Sequence, residues 1–542
     1  MKISSDKKNN LASKGLWPVF FVILFLKYSY YGYSYLPIAD DNNMYGIFRL
    51  NEDIFHQVLM KYKLFTTRPV AAALDAYFWT NFWDKLNLSL LLMTILLFVT
   101  CYLLHLVSKK CSFEIGVVML IIFALMPFGS EATYWLSAST RLVVGMFFTA
   151  LSLYLFCLYL EYMSHQKKQY ALLFSFFITN LLSYGFYEQV IVLSFCAALL
   201  VFAATWNKLK AKWVIAIPFI NFFVIGFWYI LFSSHGNMAS RGQIVKQDYW
   251  VHFGKVTEAI KETWNSNFLD LYQDGFKQSL KIIVADGSYI FLALSIVSCI
   301  ALSIIVFKEK THSIKLNIIK LFIGIFLFII PFAPFYPMKL IWMSNRNLFP
   351  SFIGLGLILD GILNILSRGK VLLLMKSLVV GLLAFIFLVS NVYELNYYRN
   401  IGQIDREITS KLSSMSGMED FFYKGKSLVL LNTKQGYVGS ISKRVENCTG
   451  ADWALLGAIK AQTGIKDTGY ALPIPHEGYA LPMKKGLLDS ALIFGIDNDR
   501  NIFPLDISKK AEGLIYFSTS DGKEFGNLEL LSDDTVVFHR SK

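Results

Sequence analysis

Carboxylates and cations recur in this chain at the ends of long apolar runs, where they are placed for chemistry at a membrane surface. Asp40 and Asp41 follow the first apolar run, just after Pro37-Ile38-Ala39, and are followed by Asn42-Asn43. An adjacent acid pair reads either as a solvated loop cap or as the source of a general base, which needs a carboxylate within hydrogen-bond reach of an acceptor hydroxyl. Neighbouring side chains in an extended loop diverge, so only one of the two would be the base, while the other holds backbone or acceptor groups. The same loop carries Thr66-Thr67-Arg68-Pro69. The third run ends in Pro127-Phe128-Gly129-Ser130-Glu131-Ala132-Thr133-Tyr134-Trp135 and leads to Arg141; the fifth ends in Ser183-Tyr184-Gly185-Phe186-Tyr187-Glu188-Gln189. Lys339, Trp342 and Ser344-Asn345-Arg346-Asn347 lie between the ninth and tenth. Singly, Arg68, Arg141, Lys339 and Arg346 suit anionic lipid headgroups; as a set they suit a bound phosphate, for which guanidinium is well shaped. Glu131 and Trp135 are four apart and share a face if the helix continues through them. There they would anchor an interface, or hold sugar hydroxyls together with Tyr187 and Glu188.

Other polar residues offer less. Lys27, inside the first run, either snorkels to the surface or is a buried cation lining a cavity. Asp360 reads as a helix cap or a partner of Arg368. The eight histidines are scattered without ligand spacing, so metal binding is not expected. Six cysteines form no disulfide framework or CxxC pair.

The elements that must position these groups follow from composition. Of 542 residues, 55% are hydrophobic and 16% charged, against about 25% charged in soluble globular chains. Residues 1–392 hold nearly all the apolar runs and carry 33 basic against 19 acidic residues, whereas 393–542 carry 18 against 19. A single soluble domain is excluded, and a nucleic-acid partner is disfavoured because the cations sit between apolar segments rather than in one patch. Spanning the hydrocarbon core takes about 20 apolar residues. Eleven segments qualify: 16–37, 86–107, 115–134, 141–162, 169–186, 189–206, 213–232, 289–307, 316–335, 349–366 and 371–392. The first follows a lysine-rich start but lacks a small-residue cleavage site, so it reads as a retained anchor. Alternate connections carry lysine pairs (Lys109/Lys110, Lys167/Lys168, Lys208/Lys210/Lys212), which by the positive-inside rule puts the N-terminus in the cytoplasm. An odd count then puts residues 393–542 outside.

Two long loops, 38–85 and 233–288, fall on the same outer side. Each contains an amphipathic pattern, Ile54/Phe55/Val58/Leu59/Tyr62 and Phe253/Val256/Ile260/Trp264, expected to lie with its aromatic face in lipid. The outer domain is expected to begin as a helix from Tyr393 to about Leu412. Strands follow at Ser427–Leu431, Leu492–Ile496, Gly513–Phe517 and Val536–His539, a helix over Asp452–Ala461 and a turn at 520–523. Gly-Tyr-Ala-Leu-Pro occurs at 469–473 and again at 478–482, which suggests a looped hairpin over the active face. The fold class is thus an α-helical polytopic membrane protein with a C-terminal extracytoplasmic α+β domain.

The Asp-Asp after the first span, the Arg-Pro of a large first outer loop and the Pro-x-x-x-Glu-x-x-x-Trp stretch at the end of the third span resemble the GT-C superfamily of membrane glycosyltransferases. The Tyr-Glu-Gln after the fifth span and the Arg-Asn-x-x-Pro before the tenth are similar to later landmarks of bacterial relatives of the protein O-mannosyltransferases. The resemblance covers residues 16–350; a histidine often precedes the proline that ends the third span, and here Met126 stands there. It implies a cell-membrane enzyme that moves a sugar from a polyprenyl-phosphate-linked donor to an extracytoplasmic glycan, cell-wall polymer, lipid or protein. Asp41 or Asp40 would be the base, and cations rather than an obligatory divalent metal would hold the leaving phosphate. A polymerase or ligase of lipid-linked oligosaccharides would instead depend on outer-loop arginines. A lipid-linked sugar flippase or transporter would show repeats and mid-depth broken helices, and a non-catalytic scaffold would need no such polar set.

Overall fold

The computed structural model describes residues 3–50, 68–162, 166–233, 244–245, 248–270, 275–309, 313–339, 341, 343–434, 447–476, 480–483, 486–511, 513–531 and 535–541. Among them, eight helices are long and apolar enough to cross a membrane: Trp79–Lys110, Leu136–Glu161, Glu188–Lys208, Lys212–Leu231, Tyr289–Phe307, Ile314–Phe335, Asn345–Leu366 and Lys370–Ser413. The architecture is that of a polytopic membrane protein with a C-terminal sheet domain. The other three expected spans are helical but different in kind. The first helix, Ile3–Ser29, stops eight residues before the expected Pro37, and its apolar part is only Gly15–Ser29. The third, Val117–Leu125, has nine residues, all buried, and at about 1.5 Å per residue is too short for a core of about 30 Å. The fifth is Gln166–Tyr184.

The break in the third run has a local cause. Proline has no N–H and pushes its predecessor out of the helical region, and Met126 before Pro127 is extended at ψ 121°. The chain turns through Pro127–Gly129 and a single turn Ser130–Thr133, then kinks again at Trp135 before the helix Leu136–Glu161 begins. This corner brings polar residues into the bundle that a continuous span would have dispersed.

Buried ions are paired in ways the sequence reading did not anticipate. Lys27 does not snorkel: it is 1% exposed, and its Nζ donates to Ala124 O at 2.9 Å and Thr133 Oγ1 at 3.0 Å. It holds the broken third run against the first helix. Asp360 pairs not with Arg368 but with Lys320, at 2.8 Å, and also accepts the Gly116 N–H at 3.2 Å. The helix Tyr249–Asp270 also turns its apolar face inward. Val256 is fully buried, and Trp264 packs 5.5–6.0 Å from the rings of Phe128, Phe328 and Phe352. Val256, Ile260 and Trp264 therefore meet the bundle, whereas Phe253 stays 48% exposed. The companion pattern at residues 54–62 lies outside the described residues.

The helix Lys370–Ser413 runs 44 residues without a proline, about 66 Å, and joins the two parts of the molecule. Its C-terminal half buries Leu395, Tyr398, Ile401, Asp405, Ile408 and Leu412, the three-and-four spacing of one helical face. Eight strands follow: β1 (Leu428–Thr433), β2 (Ala471–Pro475), β3 (Leu481–Pro482), β4 (Leu492–Ile496), β5 (Ile502–Ala511), β6 (Leu514–Thr519), β7 (Glu524–Leu530) and β8 (Thr535–Arg540). The strand order is β2-β1-β4-β5-β6-β7-β8-β3, parallel within β2-β1-β4 and antiparallel beyond. The two Gly-Tyr-Ala-Leu-Pro copies feed β2 and β3, at opposite ends of that order, so they form no hairpin with each other. The helix Asp452–Thr463 packs against the turn Asn42–Ile47 next to the acid pair.

Candidate active site

Beyond Ser29 the chain leaves helical geometry, and Ala39 takes a left-handed φ of 39°. That turn sends Asp40 and Asp41 in different directions. Asp41 is fully buried. Its Oδ2 accepts Tyr35 Oη at 2.5 Å and the Ile38 N–H at 3.2 Å, and its Oδ1 accepts the Ser137 N–H at 2.8 Å. Burial pushes its carboxyl up to about 7, although these three donors favour the charged form. Asp40 is half-buried, and among the described residues it has no hydrogen bond or ion pair. It lies within electrostatic reach of Arg141 and Arg346.

Three arginines gather around Tyr187. Arg68 caps the helix Pro69–Tyr77, whose start is tied to the end of the fifth run by Val70 and Ala71 N–H bonds to Gly185 O, both at 3.1 Å. A Cβ on Gly185 would overlap the Val70 side chain, so the approach requires glycine. The Arg68 guanidinium thereby lies 3.7 Å from the centre of the Tyr187 ring and pairs with Glu188 at 3.1 Å. Arg141, in the first turns of Leu136–Glu161, pairs with Asp75 at 3.3 Å. Arg346 sits in the turn Asn345–Ser351, which a Ser344/Asn347 capping box begins. Two hydrogen bonds lock Asn347 to Gln189: Gln189 Nε2 donates to the Asn347 carbonyl at 3.1 Å, and Asn347 Nδ2 donates to Gln189 Oε1 at 3.3 Å. Arg346 lies 3.7 Å from Glu131 Oε1 and 5.0 Å from the Trp135 ring centre, while its own N–H donates to Glu131 Oε2 at 3.2 Å.

Burial alone would raise the Tyr187 phenol, yet the three guanidinium groups hold it below its ordinary value. The local potential is therefore positive despite the three carboxylate partners. Among the described residues, Arg68 Nε and Arg346 Nε are buried without a hydrogen bond, although Arg346 Nε lies 3.7 Å from Glu131 Oε1, which leaves hydrogen-bonding capacity in a region of low dielectric. Trp135 Nε1 and Ser137 Oγ are unpartnered in the same way. Such a set could offer hydrogen bonds and positive charge to an anion beside the half-buried Asp40.

Two expectations need revision. Glu131 and Trp135 do not share a helical face, because the helix breaks between them; they meet instead on either side of Arg346. Lys339 does not join the arginines. It is exposed and makes no ion pair among the described residues, in a stretch whose neighbour Met338 bridges to Ile244. Trp342 lies outside the described residues. Among the described residues, no group of three or more His, Cys, Asp or Glu side chains is arranged to hold a metal ion.

No family model, curated protein or solved structure matches this chain. The site must be read from its own geometry.

Sequence reasoning missed Asp75, Tyr35 and Tyr45. Tyr35 Oη bonds Asp41 and accepts the Leu136 N–H at 3.0 Å. Tyr45 Oη lies 3.4 Å from Asp75 Oδ1 and 3.0 Å from Thr140 Oγ1. Asp75 stood seven residues after Arg68 in a short apolar helix, where a lone acid was the only available signal.

Proposed function

We propose that the chain is a GT-C-type glycosyltransferase that moves a sugar from a polyprenyl-phosphate-linked donor to an acceptor outside the cytoplasm. The observation that carries this reading is the convergence of Arg68, Arg141 and Arg346 on Tyr187, with unused guanidinium donors, beside the half-exposed Asp40. Arg68 and Arg346 bind the donor phosphate through those donors, and Arg141 adds charge. Trp135 and Tyr187 flank the sugar. Glu131 and Glu188 hold the arginines in place rather than the sugar.

In the reaction, the Asp40 carboxylate takes the proton from the acceptor hydroxyl. That oxygen forms a bond to the anomeric carbon as the bond from carbon to phosphate oxygen breaks, with inversion. The phosphate leaves with the electron pair and remains on its lipid. Guanidinium groups neutralise the charge that develops on it. Asp41 is the positioning residue: its three hydrogen bonds fix the loop that presents Asp40.

The test is transfer of a labelled hexose from polyprenyl-phosphate hexose by the chain in proteoliposomes, supplied with a cell-envelope extract as acceptor source. Asp40→Asn should lower the rate about 10²–10⁴-fold, the range for loss of a general base, with normal expression and folding. A wild-type rate for Asp40→Asn would overturn the base. If Arg68→Ala and Arg346→Ala were then inactive, the ligase or polymerase reading, which depends on arginines alone, would take its place.

A further inference from the structure

A polar cavity of about 270 Å³ opens where the C-terminal domain meets the loop end of the membrane bundle. Its walls come from four separate parts of the chain: Pro37, Asn42 and Arg49 around the acid pair, Trp83 with Asp84, the Gly402–Thr409 stretch of the long helix, and Gln462 facing it. The walls are closely fitted; a Cβ on Gly402 would strike the Leu36 side chain. The cavity is therefore formed before any ligand arrives, which reduces the cost of binding.

Its chemistry is specific. Arg49 and Arg406 balance Asp84 and Asp405, so the lining has no net charge. Arg49 pairs with Asp84 at 2.8 Å and lies 5.7 Å from the Trp83 ring centre. Thr409 Oγ1 donates to Gln462 Oε1. Asp405 is 3% exposed; its Oδ1 accepts Asn447 Nδ2 at 3.1 Å and the Cys448 N–H at 2.8 Å, and the Cys448 thiol lies against the same carboxylate. A lining without net charge favours neither an anion nor a cation, and the polar walls oppose a lipid tail. What fits is a small neutral molecule that has many hydroxyls and one apolar face for Trp83. The volume lies just below the usual range of about 300–1,000 Å³ for ligand sites, so it suits one ring rather than a chain of them.

We propose that this cavity binds one hexose or N-acetylhexosamine ring of the acceptor glycan, with Arg406 and Gln462 bonding its hydroxyls and Trp83 covering its apolar face. Naming the ligand an acceptor rests on the transferase reading; the sugar binding itself does not. Because Asn42 lines the cavity and adjoins the acid pair, a ring bound here lies next to the loop that presents Asp40.

The test uses the full chain in detergent micelles, screened against an array of defined neutral oligosaccharides of hexoses and N-acetylhexosamines, with titration of those retained. Arg406→Ala and Gln462→Ala change exposed side chains and are expected to fold normally. Each should weaken binding at least tenfold, while Asp521→Asn, in an exposed turn of the sheet domain, binds as the unaltered chain does. Failure to retain any glycan, or equal affinity in both cavity variants, would overturn the assignment. If glycans bind, and the variants weaken them, but the unaltered chain transfers no sugar, the transferase reading falls and the cavity assignment stands.

Discussion

Asp40 and Asp41 are neighbours with the same side chain and opposite circumstances. Asp41 has no contact with solvent and is bonded from Tyr35, Ile38 and Ser137, whereas Asp40 is half-buried and faces two guanidinium groups. The difference has a measurable sign. The Asp41 carboxyl lies at about 7 in the folded chain against an ordinary 3.8, so between those values the folded state holds a proton that the unfolded state has released. Stability from this group therefore falls as pH rises from about 4 to about 7, and then levels off. Asp41→Asn cannot ionise and loses that slope. In thermal-unfolding scans between pH 4.5 and 7.5, the melting temperature of Asp41→Asn relative to the unaltered chain should climb as pH rises. A gap that stays constant with pH would show that Asp41 does not hold its proton in the folded state.

At the scale of elements, the site depends on joints between helices more than on the helices themselves. The joint of Pro69–Tyr77 with Gly185 is a close one and sets where Arg68 lies. Gly185→Ala would drive its Cβ into Val70, and overpacking of this kind costs about 1–3 kcal/mol. Val70→Ala in the same chain should recover part of the loss, a coupling that a double-mutant cycle of unfolding measures; strictly additive effects would mean the contact does not bear on stability. These joints also mark what was legible in the sequence. Apolar length located the helical runs and the continuation of the last helix beyond Tyr393, because each is a local property. Turn chemistry and alternation located β1, β4, β6 and β8. The two-residue β3 and the mostly exposed β5 carry no comparable pattern. The acids and arginines were recognised individually, but their pairing was not. Asp75 with Arg141, and Lys320 with Asp360, join residues 66 and 40 positions apart, and only the packing of helices brings them together. Lys27 was misread for the same reason: its partners exist only because Pro127 breaks the third run.

On the scale of the whole molecule, the long helix Lys370–Ser413 makes the C-terminal domain and the acid loop one assembly. The domain's helix Asp452–Thr463 rests on the turn Asn42–Ile47, so whichever side of the membrane holds the domain also holds the arginine cluster. The lysine pairs lie at the other ends of the helices, as at Lys109/Lys110 in Leu86–Lys110. A donor phosphate at Arg68 and Arg346 and an acceptor in the polar cavity would then meet on the side away from the lysines. If the positive-inside rule holds for this chain, that side is extracytoplasmic. The six native cysteines are free and either buried or half-buried, so an added surface cysteine can serve as a reporter. In intact cells a membrane-impermeant maleimide should label Asp521→Cys, in an exposed turn of the sheet domain, while Lys210→Cys should label only after lysis. The reverse pattern would put the acid loop, the arginines and the polar cavity in the cytoplasm, where an acceptor outside the cell could not reach them.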